Sequence, residues 1–194
     1  FCSSGQCLRG VKMSLIMLYV FYWIMAAIGL TIGYHRCLSH NELKLNPILE
    51  FFVLYIGLLC CARSPLAWAA MHRMHHAYSD TELDPHSPKH KGAITVLFST
   101  FRVKSIPRKF IKSLYKNPRV MFLHKFMWII LLVTYLIAYL INPIVLLYLA
   151  ALLPISFVSF GLINFFGHDE NGPTNKWWIN IFAPFEGNHY DHHT

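Results

Sequence analysis

Apolar residues along this chain gather into long runs. They are not spaced at the 3.6-residue period of an amphipathic helix or the two-residue period of a half-buried strand. Met13–Gly33 carries no charged side chain over 21 residues, close to the ~20 that a helix needs to cross a hydrocarbon core. Phe126–Ile141 and Ile144–Phe166 are two further runs, separated by Asn142-Pro143, a dipeptide suited to a tight turn. They predict a helical hairpin through a bilayer. Ile48–Ala62 is a fourth run, but at 15 residues with Arg63 and Pro65 following it is short for a span. It predicts an interfacial or re-entrant helix that does not cross. The expected fold is all-α, a polytopic membrane protein forming one domain over residues 1–194.

Composition sharpens this. The chain is 55% apolar and 13% charged, against roughly a quarter charged in a soluble domain, so the polar shell of a soluble helical core is missing. The net charge of +8 is concentrated in Arg102, Lys104, Arg108, Lys109, Lys112, Lys116, Arg119 and Lys125, just ahead of a spanning run. That is the positive-inside pattern and places the loop in the cytoplasm. No nucleic-acid-binding module accompanies the charge, so no nucleic-acid partner is expected. Five cysteines show no zinc-like spacing, and a Cys2–Cys7 disulfide is open to an N-terminus facing outside. The chain starts at Phe1 and stops at Thr194, one residue past a histidine cluster, which is the expectation for a fragment.

The histidines carry the chemistry. Three clusters each follow an apolar stretch: His35 and His40 in "HRCLSH", His72, His75 and His76 in "HRMHH", and His189, His192 and His193 in "HYDHH". His168 closes the last apolar run. Histidines at i, i+3 and i+4 share a helix face, so each HxxHH is expected to converge on one point. His35 and His40 lie about 140° apart on a regular helix; they reach two metals, or the helix unwinds between them. Neutral imidazole suits iron, zinc, copper and nickel, and eight or nine imidazoles suit two ions better than one. His86, His90 and His124 are read as non-ligands. Asp80, Glu82 and Asp84 are either acceptors for histidine N–H groups or a solvated turn before Pro85. A shared site requires all clusters on one side of the membrane.

At these residues a resemblance becomes specific. The order HxxxxH, HxxHH, HxxHH is similar to the membrane fatty-acid desaturase and hydroxylase superfamily. The strings "GYHRCLSH", "WAAMHRMHHAYSDTELDPHSPKHKG" and "TNKWWINIFAPFEGNHYDHH" resemble its delta-9 desaturase branch. The resemblance implies a non-haem diiron site on the cytoplasmic side, held by His35, His40, His72, His75, His76, His168, His189, His192 and His193. It implies that Asn164 reaches a metal through a water, and that Trp68, Trp177 and Trp178 line an acyl tunnel; interfacial anchoring is the competing use of these tryptophans. It also implies an upstream spanning helix and a C-terminal tail that this chain lacks. Two departures stand out. Ala70 and Met71 replace the arginine–aspartate pair with which animal acyl-CoA desaturases bind coenzyme A, and Tyr190-Asp191 replaces the branch's usual asparagines.

The activity so implied is O2-dependent insertion of a cis double bond into a saturated acyl chain carried on coenzyme A or a lipid. Two iron ions would be the cofactor and O2 the co-substrate. The sequence has no haem, Fe–S or dinucleotide motif, so the electrons must come from a separate cytochrome b5 or ferredoxin, for which the basic loop is a candidate dock. The expected location is the endoplasmic reticulum in a eukaryote or the inner membrane in a bacterium. The competing readings are a fatty-acid or alkane hydroxylase of the same superfamily and, more remotely, a metal transporter. Transporters place ionisable ligands at mid-membrane, whereas these clusters follow helix ends.

Overall fold

A computed structural model of the chain describes residues 4–60, 63–99 and 105–193. Cys2, Arg102, Lys104 and the Cys7 side chain lie outside what it describes, and with them the possible Cys2–Cys7 pair.

Helix α1 (Ser4–Ala26) passes without a break into a π-helix (Ala27–Ser39). The stretch Ser14–Ser39, with a mean hydropathy of 2.2 over its most apolar 18 residues, is long enough to cross a membrane. Helix α8 (Met127–Ile141) and helix α9 (Pro143–Phe166, mean hydropathy 2.3 over its most apolar 18 residues) form the hairpin expected from the Asn142-Pro143 turn, though of the two α9 alone is long enough to cross a membrane unaided. The Asn142 side chain accepts from the Ile144 N–H, and Pro143 takes the first helical position, where its missing donor costs nothing. Ahead of α8, helix α7 (Pro118–Lys125) is bent away by 71°.

Helix α2 (Pro47–Leu59) covers the fourth apolar run. Its 13 residues reach about 20 Å at 1.5 Å per residue, short of a ~30 Å hydrocarbon core. Its sequence explains how it is held instead. A Cβ on Gly29 would come within 2.3 Å of the Gly57 backbone N, and one on Gly33 within 2.7 Å of Val53 Cγ1. Glycines therefore let the π-helix and α2 touch backbone to backbone, as small residues do in membrane helix pairs. Glu50, 7% exposed on α2, meets Arg119 (Nη2–Oε2 2.6 Å) and accepts from Asn117 Nδ2 at 2.5 Å. An unpaired carboxylate there would be costly, and the pairing fastens α2 to α7.

Helix α3 (Pro65–Tyr78), capped by Ser64, carries the second histidine cluster. Short helices follow at Pro88–Lys91 (α4), Ala93–Ser99 (α5) and Arg108–Ile111 (α6). After α9 the chain makes a two-stranded hairpin, β1 (His168–Asp169) with β2 (Gly172–Pro173), a small departure from the all-α expectation. It then runs through α10 (Ile179–Phe182) to α11 (His189–His193). This last stretch is strapped along the first spanning helix. Tyr19, Tyr22, Trp23 and Thr31 donate to the carbonyls of Ile181, Phe182, Asn180 and Pro184, at 2.7, 2.7, 3.1 and 2.8 Å. The strap brings the third histidine cluster to the first.

Candidate metal centre

The nine histidines named from the resemblance divide into two groups, with ligand atoms within 4.8 Å of one another in each. His35, His40, His72, His76 and His192 form one; His75, His168, His189 and His193 form the other. Helix geometry explains the division and corrects the expectation that each HxxHH converges on one point. Residues i and i+4 differ by about 40° of rotation, whereas i+3 and i+4 differ by about 100°. The i/i+4 pair therefore shares a group and the i+3 histidine turns to the other. His72 and His76 pair while His75 crosses over; His189 and His193 pair while His192 crosses back.

The π-helix resolves the HxxxxH spacing. His40 N–H closes onto His35 O at 3.1 Å, and in a helix bonded i→i+5 five residues come close to a full turn. His35 and His40 thus face the same group, and neither spreads to the second. Arg73, between two ligand positions on α3, holds this helix end. It donates to Leu38 O at 2.5 Å, Ser39 O at 3.1 Å and Ser113 Oγ at 2.7 Å. A cation at a helix C-terminus complements its dipole, and here it joins the first histidine helix to the second.

Carboxylates sit behind three of the imidazoles. His35 Nδ1 lies 2.8 Å from Glu186 Oε1, His75 Nδ1 2.8 Å from Asp84 Oδ1, and His168 Nδ1 2.9 Å from Asp80 Oδ2. Burial alone would raise the carboxyls of Asp84 and Glu186. Asp84 is instead held below its ordinary range by the hydrogen bond and charge of His75 and by the amides of His86 and Asp80, and Glu186 by the charge and hydrogen bond of His35. An ionised carboxylate only accepts, so Nδ1 of His35 and of His75 donates, and Nε2 turns toward the other histidines. Asp80 and Asp84 are thus acceptors for histidine N–H groups, while Glu82 is exposed. Glu186 carries no expectation from the sequence. It is positioned by Phe185, whose φ of 63° turns the backbone where a bulky residue seldom goes, with its ring edge-on to Trp23 at 5.5 Å.

The donor set fits metal ions. Nε2 atoms approach at 2.6 Å (His35–His192), 3.0 Å (His40–His72, His76–His192, His168–His189) and 3.2 Å (His189–His193). Nitrogens at right angles around an ion about 2.0–2.1 Å away stand about 3 Å apart. His75 Nε2 is buried with no hydrogen-bond partner among the described residues, an orphan that a metal would satisfy. Gly167 permits this packing, since a Cβ there would lie 2.9 Å from His189 Cδ2.

Burial, reinforced by neighbouring imidazoles, keeps seven of the nine rings neutral. It lowers His40 and His192 to about 4 and His193 to about 3, and holds His72, His76, His168 and His189 below the ordinary value. Unfolded histidines take up protons near pH ~6.5, so the unfolded state binds more protons below that pH. The metal-stripped protein is therefore expected to lose stability steadily as pH falls from about 6.5 to about 4. Melting curves in detergent check this; a midpoint unchanged across that window would contradict it.

A cavity of about 60 Å³ opens on the imidazoles of His35, His72, His75 and His189, between apolar residues of α1, the π-helix and α9. Trp68 lines it and stacks on His72 at 4.9 Å and 13°. Asn164 also lines it. Trp177 and Trp178 do not. Trp177 is 76% exposed and Trp178 packs edge-on against Phe166, because the turn before α10 faces away from the cavity. Met71 lines the cavity as well. His86 is placed beside it too, buried with its ring 5.4 Å from His75, though it joins neither ligand group. His124 bonds Ser64 Oγ at 2.7 Å, and His90 meets the Asp80 carbonyl at the surface.

Comparison with known proteins bears on this geometry. The sequence profile described as "Fatty acid desaturase" matches residues 14–194. The chain is 31% identical over 190 residues to an "sn-1 stearoyl-lipid 9-desaturase" of Anabaena variabilis, covering 89% of this chain and 68% of that protein. It is 32% identical over 191 residues to an "Acyl-CoA C20 Delta5-desaturase" of Anemone leveillei, covering 90% and 61%. It is 29% identical over 201 residues to "Delta-9 acyl-lipid desaturase 2" of Arabidopsis thaliana, covering 90% and 62%. The chain thus spans about two thirds or less of these relatives' length.

Proposed function

The chain belongs to the fatty acid desaturase family, and from that premise we propose that it is an O2-dependent fatty-acyl desaturase that forms a cis, delta-9-like double bond at a diiron centre. The observation that carries this reading is the five-and-four division of nine imidazoles, three of them backed by carboxylates, beside one apolar cavity. Two bound irons, with O2 and two electrons, would supply the power to break unactivated C–H bonds.

The chain's own residues do the rest. Glu186, Asp84 and Asp80 fix the orientation of His35, His75 and His168 and raise their basicity as ligands. With two dications, the three carboxylates behind the imidazoles leave a nearly balanced charge, which a buried centre requires. Leu30, Phe160 and Ile163 give the cavity an apolar wall that excludes water and holds methylenes beside the imidazoles. Asn164, one turn before His168, reaches a metal through water in this proposal. Electrons come from a separate cytochrome b5 or ferredoxin. The histidine clusters face the cytoplasm, in the endoplasmic reticulum or the bacterial inner membrane, and the positive-inside bias supports that orientation. The acyl carrier is a lipid or coenzyme A, both of which occur among the named relatives.

The test is the lipid profile of a desaturase-deficient host expressing the complete gene. New monounsaturated acyl chains with the double bond at carbon 9 are expected. Hydroxylated chains in their place would assign the site to the hydroxylases.

A further inference from the structure

The cavity beside the histidines is too small for the substrate proposed above. At about 60 Å³ it holds roughly two water-sized volumes, whereas ligands the size of a fatty-acyl chain occupy sites of ~300–1,000 Å³. A second chamber of about 1010 Å³ lies beside it, bounded chiefly by α3, α8 and α9. Phe160 is the one residue among those described that lines both. Its ring lies 6.1 Å from that of Trp68, so a Phe160–Trp68 wall separates the chamber from the imidazoles.

The chamber's chemistry is graded. Leu131 and Tyr135 of α8 and Leu153 and Phe157 of α9 wall it at the depth of the spanning helices. Ser64, hydrogen-bonded to His124 at 2.7 Å, and Arg63 sit at the opposite end, where the α2–α3 turn meets α7. Trp128, 75% exposed, stands on the same side at the start of α8. Within the apolar part, Ser156 Oγ is buried with no hydrogen-bond partner among the described residues. A mostly apolar chamber with polar side chains gathered beside the start of α3 and α7 matches the division of an amphipath into chain and headgroup.

We propose that this chamber receives the acyl chain of a membrane lipid from the side of α8 and α9, with Phe160 the partition that the chain passes to reach the histidines. This rests on the desaturase reading and selects its substrate class, a bilayer-resident acyl lipid in preference to a water-soluble thioester. A lipid presents its chain already at the depth of Leu131 and Leu153. A thioester would have to thread from the aqueous surface.

The test is photolabelling of the full-length protein in nanodiscs with two probes, a phosphatidylcholine and a coenzyme A thioester bearing the same diazirine-substituted acyl chain. Peptide mapping is expected to place the phosphatidylcholine label on Leu131, Leu153 or Phe157. Ser156→Trp and Leu131→Trp, two independent ways of filling the chamber, are each expected to abolish that label and to slow desaturation roughly a hundred-fold with metal content unchanged. Should one of them not fold, the other decides. Label confined to the outer faces of α8 and α9, label from the thioester alone, or filled variants that label like wild type would each overturn the proposal. Labelling is scored without turnover. A chain that labels as expected yet forms no double bond would therefore count against the desaturase reading and leave the chamber standing.

Discussion

Replacing His76 with alanine is expected to abolish turnover and to strip metal from the five-histidine group. Its ring touches both groups. Its Nε2 lies 3.0 Å from that of His192 and its ring stacks on that of His193 at 4.1 Å. Removing it takes away one ligand and opens the wall between the two groups. Loss of an outer hydrogen-bond partner already costs about 10–100-fold, so loss of a ligand is expected to exceed a hundred-fold and to fall below detection. His193→Ala should behave alike from the four-histidine side. The surface variant His90→Ala should keep most activity, and His124→Ala, which loses its bond to Ser64 beside the neighbouring chamber, should keep its metal. Measured side by side, a His124→Ala as depleted of metal as His76→Ala would mean that the ligand set is misassigned.

The next largest effect is expected at Asp84. This carboxylate is wholly buried and accepts from His75 Nδ1 and the His86 N–H at 2.8 Å and from the Asp80 N–H at 2.9 Å. Asp84→Ala would leave those donors unsatisfied and free the His75 ring to turn, costing about a hundred-fold in metal affinity. Asp84→Asn keeps an acceptor oxygen without the charge and should fall between alanine and wild type. Glu186→Gln, acting on one histidine with some exposure at 15%, should cost nearer tenfold. Dialysis against a chelator reads all three. Equal retention in Asp84→Ala and wild type would remove the carboxylate from the account.

The histidines that gather into the two groups were legible because HxxHH spacing is local, and one helix turn brings i and i+4 together wherever the helix lies. Their sorting was not, since it depends on which way the i+3 histidine finds a partner across the fold. For His35 and His40 the spacing of five was ambiguous, and the π-helix that resolves it is selected by contact. Gly29 and Gly33 on one side and Gly57 on the other allow a wide helix to press against α2. Glu186 went unread although it is the lone acidic residue in "INIFAPFEG", because its reach to His35 follows from the turn at Phe185 and from the strap along α1. The α8–α9 hairpin was readable from run length and an Asn-Pro turn, although of its two helices α9 alone is long enough to cross a membrane unaided. The shortness of α2 was readable in the same way. Trp177 and Trp178 show the limit of carrying a role across by motif, since the turn before α10 points them away from the cavity.

Metal counting on the purified full-length protein tests the central claim most directly. The five-and-four arrangement of imidazoles predicts about two iron ions per chain in active enzyme, falling to about one, with activity lost, when either histidine group is disabled. About one ion per chain in fully active protein, or full activity with zinc in place of iron, would contradict it.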